Sequence, residues 1–335
     1  MRYAGPAGGA AELWDIATPS RRARLPGVSM AGFRASSADL VDMSMVPYPA
    51  VTVFIDFGDA LLVDDASGKR QRGSVVTGLA PGAVFRGLGR DIECLQVRLS
   101  LVVAHAALGA SAEIGGTVVA LSDLWGIDAA RFHEQLRAAA SWDDRFAIAE
   151  AALARRLEAG RAVDPEVALA WRQMVASRGR ARVEELAARA GWSRKRLWSR
   201  FRSQIGLTPK RAAQLVRFDH AAHRLAAGHS AALVAADSGY ADQSHLHRDV
   251  MAFAGMTPTA VASAPWLMVD PVAWATPDTC PGLDAGGTSL QDGRPVNDRG
   301  RAGGRQRRCG RRRYPPRRGV RRLIRSLASR TRRGG

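Results

Sequence analysis

The chain repeats itself, and this limits its fold more than any other feature. VEELAARAGW (183–192) aligns with ALVAADSGY (232–240) at an offset of 48 residues, and SRKRLWSRF (193–201) with DQSHLHRDV (242–250) at 49. A single extra turn residue, Ala241, accounts for the difference, and the punctuation Gly206-Leu207-Thr208-Pro209 returns as Gly255-Met256-Thr257-Pro258, again at 49. Each copy reads as a short helix, a glycine turn (Gly191, Gly239) and a second helix. Ser193 or Asp242 caps that second helix by accepting free backbone N–H groups. This is the pattern of a helix-turn-helix. Leu186 and Ala187 of the first copy, with Leu197 and Phe201, and Leu246 and Val250 of the second, have the spacing of an inward apolar face. Between the copies, PKRAAQLVRFDHAAHRLAAG supplies about 18 helical residues, roughly 27 Å of rise. With offsets at its ends, such a helix can hold two reading heads about one DNA turn, roughly 34 Å, apart.

If Leu197 and Phe201 face inward, the 100° helical step turns Lys195, Ser199 and Arg202 outward, with Arg196 and Trp198 beside them. In the second copy Ser244 and Arg248 face out, flanked by His245 and His247, with Gln243 at the helix start. Arg and Lys can read guanine, Gln can pair with adenine, and Ser serves several bases. Arg180, Arg182, Arg200 and Arg217, like the flanking Arg196 and Arg202, suit phosphate contacts, which position without specifying sequence. A basic helix face is more often only a solvated one, and the duplication is what tips the balance toward nucleic acid. Trp192 and Tyr240, each next to the turn glycine, suit packing better than base stacking. His220 and His223 share a helix face without a third ligand, and His245 and His247 do not face each other. No metal and no cofactor is expected.

The formal charge of +18 is informative only once it is located. Residues 1–177 carry 18 Lys and Arg against 20 Asp and Glu, so the first half shows no basic footprint. Residues 178–264 carry 14 against 6, as a small DNA-binding module requires, and residues 279–335 carry 17 Arg against 3 acids. Cys94, Cys280 and Cys309 are too far apart to indicate a disulfide framework or a zinc site, which fits a reducing compartment. Cys94 lies in an alternating strand and reads as a structural cysteine. The N-terminus lacks a signal-peptide core, and no run of about 18 apolar residues offers a membrane span. A cytoplasmic location follows as an expectation.

The stretch from Ala50 to Leu99 is rich in β-branched and aromatic residues cut by Gly, Asp and Pro, and predicts strands. LVVAHAALGA predicts a buried helix, and helical periodicity runs on from Asp123. DDRFAIAEAALARRLEAG has Asp143 and Asp144 as cap candidates and Gly160 as its stop. A further helix is predicted from Asp164, with Pro165 in its first turn. The fold class is therefore α+β: a β-rich unit with helices, then an all-α domain of two helix-turn-helix units.

The segment Val183–Val261 resembles the C-terminal DNA-binding domain of the AraC/XylS family of bacterial regulators, on LAARAGWSRKRLWSRF, GYADQSHLHR and GMTP. The resemblance covers about a quarter of the chain. It implies base-reading roles for Lys195, Trp198 and Ser199 in the first copy and for Gln243, His245 and Arg248 in the second. Leu246 stands where the family often has Phe, and Asp249, Val250, Met251 and Ala252 replace a basic, Phe-containing run, which makes the second head less cationic. The family also implies an N-terminal sensing or dimerising domain, often a small cupin-like barrel. DLWGIDAARFHEQLRAAASWDDRFAIAEAAL is similar to the helical part that precedes the DNA-binding domain in an actinobacterial subgroup.

The expected organisation is a regulatory domain at 1–160, a connecting helix at 161–177, the double helix-turn-helix at 178–264, a terminal strap at 265–278 and an Arg/Gly-rich tail at 279–335. The tail lacks the apolar content to order itself. It is either a salt-sensitive nucleic-acid tether or the product of a GC-rich gene read past a frame change. The expected partners are a double-stranded DNA operator, RNA polymerase, a small-molecule effector and a second copy of the chain, with no membrane. An alternative is an enzyme whose N-terminal half acts on a small molecule, with Asp56, Asp64 and Asp65 as candidate acids, although no nucleophile elbow or phosphate loop accompanies them. Another is an architectural binder acting through its tail.

Overall fold

The β-branched and aromatic text of the first hundred residues folds as sheet. The computed structural model describes residues 14–274 apart from 22–23, 36–39, 59–60, 66, 80–81, 83 and 110. The expected tail, the end of the strap, Cys280 and Cys309 lie outside the described residues. The strands are β1 (Trp14–Ala17), β2 (Val28–Ala35), β3 (Val41–Met45), β4 (Ala50–Asp56), β5 (Leu62–Asp64), β6 (Arg70–Arg72), β7 (Val75–Thr77), β8 (Phe85–Gly89), β9 (Glu93–Ser100) and β10 (Val118–Ala120). They make a six-stranded sheet in the order β1-β2-β9-β4-β7-β10 and a four-stranded sheet in the order β3-β8-β5-β6. The described pairings are antiparallel, with β4 and β9 in register from Ala50↔Ser100 to Asp56↔Cys94.

Strand β4 is buried on both faces, and alternation sorts its side chains between two cores. Val51, Val53 and Ile55 join Leu95, Val97 and Leu99 of β9 in the larger core, shared with the helices. Phe54 and Cys94 point the other way, into a layer shared with Val41, Val63 and Phe85 of the second sheet. Cys94 is buried, and burial pushes its thiol up to about 12, which keeps it protonated and suits the structural role expected of it.

Helices α1 (Leu101–Leu108), α2 (Ser111–Ile114), α3 (Leu121–Trp125), α4 (Ile127–Ala138), α5 (Trp142–Ala159) and α6 (Pro165–Ala176) follow. Gly160 stops α5 and Pro165 opens α6, as expected. The cap of α5 differs from the expectation. Ser141 Oγ accepts the Asp144 N–H, while Asp143 and Asp144 sit inside the first turn, where their charge complements the helix dipole.

The duplicated segment folds as α7 (Val183–Arg189), α8 (Arg194–Ile205), α9 (Pro209–Ala226), α10 (Ala231–Asp237), α11 (Gln243–Ala254) and α12 (Pro258–Ala262), with α13 (Pro265–Ala273) behind it. The large core runs without a break from Met174 of α6 to Leu186 of α7, across the boundary expected at 177/178. Helix α9 is its spine, packed on α6, α8, α10, α11, α12 and α13. Phe218 of α9 stacks on Phe253 of α11 with centroids 5.1 Å apart, both fully buried, and each such side chain contributes about 1.5–3 kcal/mol.

Candidate nucleic-acid interface

The two copies carry the same local chemistry. Helices α8 and α11 are both 12 residues long. Ser193 Oγ accepts the Arg196 N–H at 3.2 Å, and Asp242 Oδ1 accepts the His245 N–H at 2.6 Å. Both helices stop on a left-handed glycine, Gly206 (φ 88°) and Gly255 (φ 68°), and both turns run through positive φ at Gly191 and Gly239. The anticipated inward residues Leu186, Ala187, Leu197, Phe201, Leu246 and Val250 are all buried.

What remains exposed is the face expected to meet bases. On α8, Lys195, Arg196, Trp198, Ser199 and Arg202 reach solvent, with Trp198 exposed at 45% despite its size. The Arg196 guanidinium lies 4.5 Å from the centre of the Trp192 ring, and that of Arg202 lies 5.2 Å from the Trp198 ring. These cation–π contacts brace long side chains that would otherwise be mobile. On α11, Gln243, Ser244, His247 and Arg248 are exposed. His245 is only partly so: its ring stands edge-on to Tyr240 at 5.2 Å, and its Nδ1 accepts the Ala241 N–H. Tyr240 is buried, and Trp192 packs on the core, both in keeping with packing roles.

The arginines divide into two groups. Arg180 and Arg182 are exposed beside the domain. Arg217, expected at phosphate, is turned inward instead: it donates to Asp249 Oδ2 at 3.0 Å and lies 4.6 Å from the Tyr240 ring centre. Both partners are mostly buried, so this pair seats α11 on α9. Asp249, read from sequence as a loss of cationic character in the second copy, is buried and does not lie on the exposed face of α11. Its spacing signalled this, because 246, 249, 250 and 253 form one helical stripe.

Arg200, also expected at phosphate, is held by Asp164 through two parallel hydrogen bonds of 2.7 and 2.9 Å. Gln204 Oε1 accepts the Asp164 backbone N–H at 2.8 Å, so α8 is clamped to the start of α6 at two points. The hydrogen bond from Arg200 holds the Asp164 carboxyl below the usual carboxylate range. Nothing in the sequence pairs residue 164 with residues 200 and 204, which are brought together only by packing.

His220 and His223 do not behave as a pair. Burial, with Arg178 and Arg224 nearby, pushes His220 down to about 4, whereas His223 is engaged by Asp219 and Asp270. Among the described residues no group of three His, Cys, Asp or Glu could hold a metal ion, and no helix is long and apolar enough to cross a membrane. The acids considered for an enzyme are engaged in local structure. Asp56 accepts the N–H groups of Gly58 and Leu61, Asp64 pairs with Arg70, and Asp65 organises its turn through Ser67 and Lys69.

Residues 186–264 match the helix-turn-helix domain family. No curated protein matches the chain. Among solved structures, ToxT from Vibrio cholerae O395 is 10% identical, with 72% of this chain and 97% of that chain covered at a TM-score of 0.41. Wild-type ToxT from V. cholerae strain SCE256, bound to an unsaturated fatty acid, is 10% identical over 71% and 95% of the two chains at 0.41. The AraC-like transcriptional activator CuxR is 16% identical over 59% and 83% at 0.23. Values of this size transfer neither a ligand nor a residue role.

Proposed function

We propose that this chain, whose residues 186–264 are an AraC-type helix-turn-helix domain, is a sequence-specific transcription regulator whose two heads read successive major grooves of one duplex. The observation that carries this is the pairing of α8 with α11: same length, same capping, same glycine stop and an outward polar face, on either side of α9. That helix has 18 residues, a rise of roughly 27 Å, which suits heads placed about one DNA turn apart.

In this reading Lys195, Trp198 and Ser199 meet bases in one groove, and Gln243, Ser244, His245 and Arg248 in the next. Arg180, Arg182, Arg196 and Arg202 hold phosphates. The heads are not equivalent, because the repeat aligns Lys195 with Ser244 and Ser199 with Arg248. Each therefore carries its cation on a different turn, and the two half-sites should differ in sequence.

The N-terminal half exerts control, through a small-molecule effector or by pairing two chains. A small pocket between the sheets, lined by Met45, Tyr48, Phe54, Phe85, Gln96 and Arg98, has a volume of about 20 Å³, room for little more than a water molecule, so an effector that entered there would have to open it. RNA polymerase is the further partner such a regulator would engage.

Selection of bound duplexes from a random pool by the full chain, at physiological salt, tests the reading. Two dissimilar short blocks about one helical turn apart are expected. A single block, or no enrichment, would overturn the paired-head assignment.

A further inference from the structure

Helix α13 follows the helix-turn-helix domain in sequence but does not pack with it alone. Val269 and Ala273 are buried in the layer between the two sheets, while Leu267 lies in the helical core. The helix touches β1, β2 and β3 on one side and α9 on the other.

At its centre is Asp270, 4% exposed. Its Oδ1 accepts from Arg98 Nη2 at 2.9 Å, and its Oδ2 accepts from His223 Nε2 at 3.0 Å. Arg98 projects from β9 into the inter-sheet layer, where it lines the pocket. Its guanidinium lies 3.7 Å from the Tyr48 ring centre and 4.0 Å from that of Trp274. His223 belongs to α9, the helix between the reading heads, and its Nδ1 lies 2.8 Å from the Asp219 carbonyl oxygen. Both imidazole nitrogens thus face acceptors, one a carbonyl and one a carboxylate. A ring satisfied on both sides is doubly protonated and cationic.

One buried carboxylate therefore serves two cations, one from the β-rich half and one from the linker helix. The Tyr48 hydroxyl also bonds Asp270, and the partly buried Asp219 lies close by, so displacing either cation leaves this acidic cluster short of positive charge in a place shielded from water, which is costly. The two cations cannot be rearranged independently.

We propose that Asp270 couples the inter-sheet pocket to the linker helix, with α13 as the strap that carries a change at Arg98 to His223 and so to the seating of the two heads. This rests on the regulator reading above, and it locates the route by which the N-terminal half acts.

Hydrogen exchange on the full chain tests it, comparing wild type, Arg98→Gln, Asp270→Asn and the double variant. Arg98→Gln is expected to speed exchange several-fold in α9, although no residue of α9 is changed, and to add nothing in the Asp270→Asn background. Coupling is reciprocal, so His223→Gln should loosen β9 in turn. This variant also reports from the other end if Arg98→Gln fails to fold. Loosening confined to the strands, or effects of Arg98→Gln and Asp270→Asn that simply add, would overturn the proposal. The readout needs no DNA. Coupling without a selectable operator would fault the regulator reading alone, and an operator without coupling would fault only the strap.

Discussion

Lys195 and Arg248 are exposed cations on the outward faces of two capped helices, and among the described residues no ion pair is seen for either. If each reads a guanine, Lys195→Ala and Arg248→Ala should each cost about 1–3 kcal/mol on the selected duplex and relax preference in one block only. Equal losses on selected and random duplexes, measured by titration, would reassign them to phosphates. Arg200 differs, since Asp164 already holds its guanidinium. Asp164→Asn should free it, raise affinity for random duplex and steepen the salt dependence by about 0.9 in log–log slope, the value of one phosphate contact. An unchanged slope would leave Arg200 as a brace between α8 and α6. The outward residues were legible from the 100° step alone, whereas the internal partners of Arg200 and Arg217 were not, because periodicity says which way a side chain points and not what waits there.

Among the elements, α7 to α12 follow the repeat closely, since α7 maps onto α10 at 48 residues and α8 onto α11 at 49. Local signals suffice there: side-chain caps, a positive-φ glycine at each stop and proline in the first turn. The seating of α11 is a tertiary matter. Arg217→Ala would leave Asp249 buried without its partner, costing about 3–5 kcal/mol, and should blur the second block of the selected motif more than the first. Denaturant unfolding and repeat selection would check both, and equal blurring of the blocks would argue against a local role. Gly179, between α6 and α7, is a second such point. Its φ is 73°, and a Cβ there would lie 2.2 Å from the Ala213 carbonyl oxygen of α9. Gly179→Ala should therefore lower the melting temperature clearly, whereas Gly68→Ala, at a similar φ but with open space around it, should lower it less. In the first half, β1, β2, β3 and β10 fell outside the span Ala50–Leu99 read as strand. β1 and β10 are short, β2 is interrupted by Gly32, and β3 alternates the polar Asp42 and Ser44 with Val41, Met43 and Met45. Such strands are specified by their neighbours more than by their own composition.

At the scale of the molecule, the groups meeting at α13 predict a pH dependence. His223 faces Asp219 and His220 on its own helix and Asp270 on α13, with Arg98 and Tyr48 behind Asp270. Burial works against the charged ring, but the hydrogen bond to Asp270 and the Asp219 carboxylate outweigh it and hold His223 up at about 9, above its ordinary 6.5. Because the folded value is the higher one, the contribution is complete below about 6.5 and is lost as pH rises through about 9. The melting temperature should fall between about pH 7 and 9.5, and His223→Gln should flatten that part of the profile; an identical slope in the variant would exclude His223 as the cause. By itself, the sequence determined the duplicated helical domain, its caps and turns, the outward faces of α8 and α11 and the β-rich character of what precedes it, because each rests on interactions within a few residues of the chain. Only the tertiary structure decided that Arg217 belongs to Asp249, that Asp164 clamps α8, and that Asp270 joins Arg98 to His223. Those partners lie 32 to 172 residues apart in the chain, and a charge reveals its partner only when packing has brought the two together and excluded the water that would otherwise screen them.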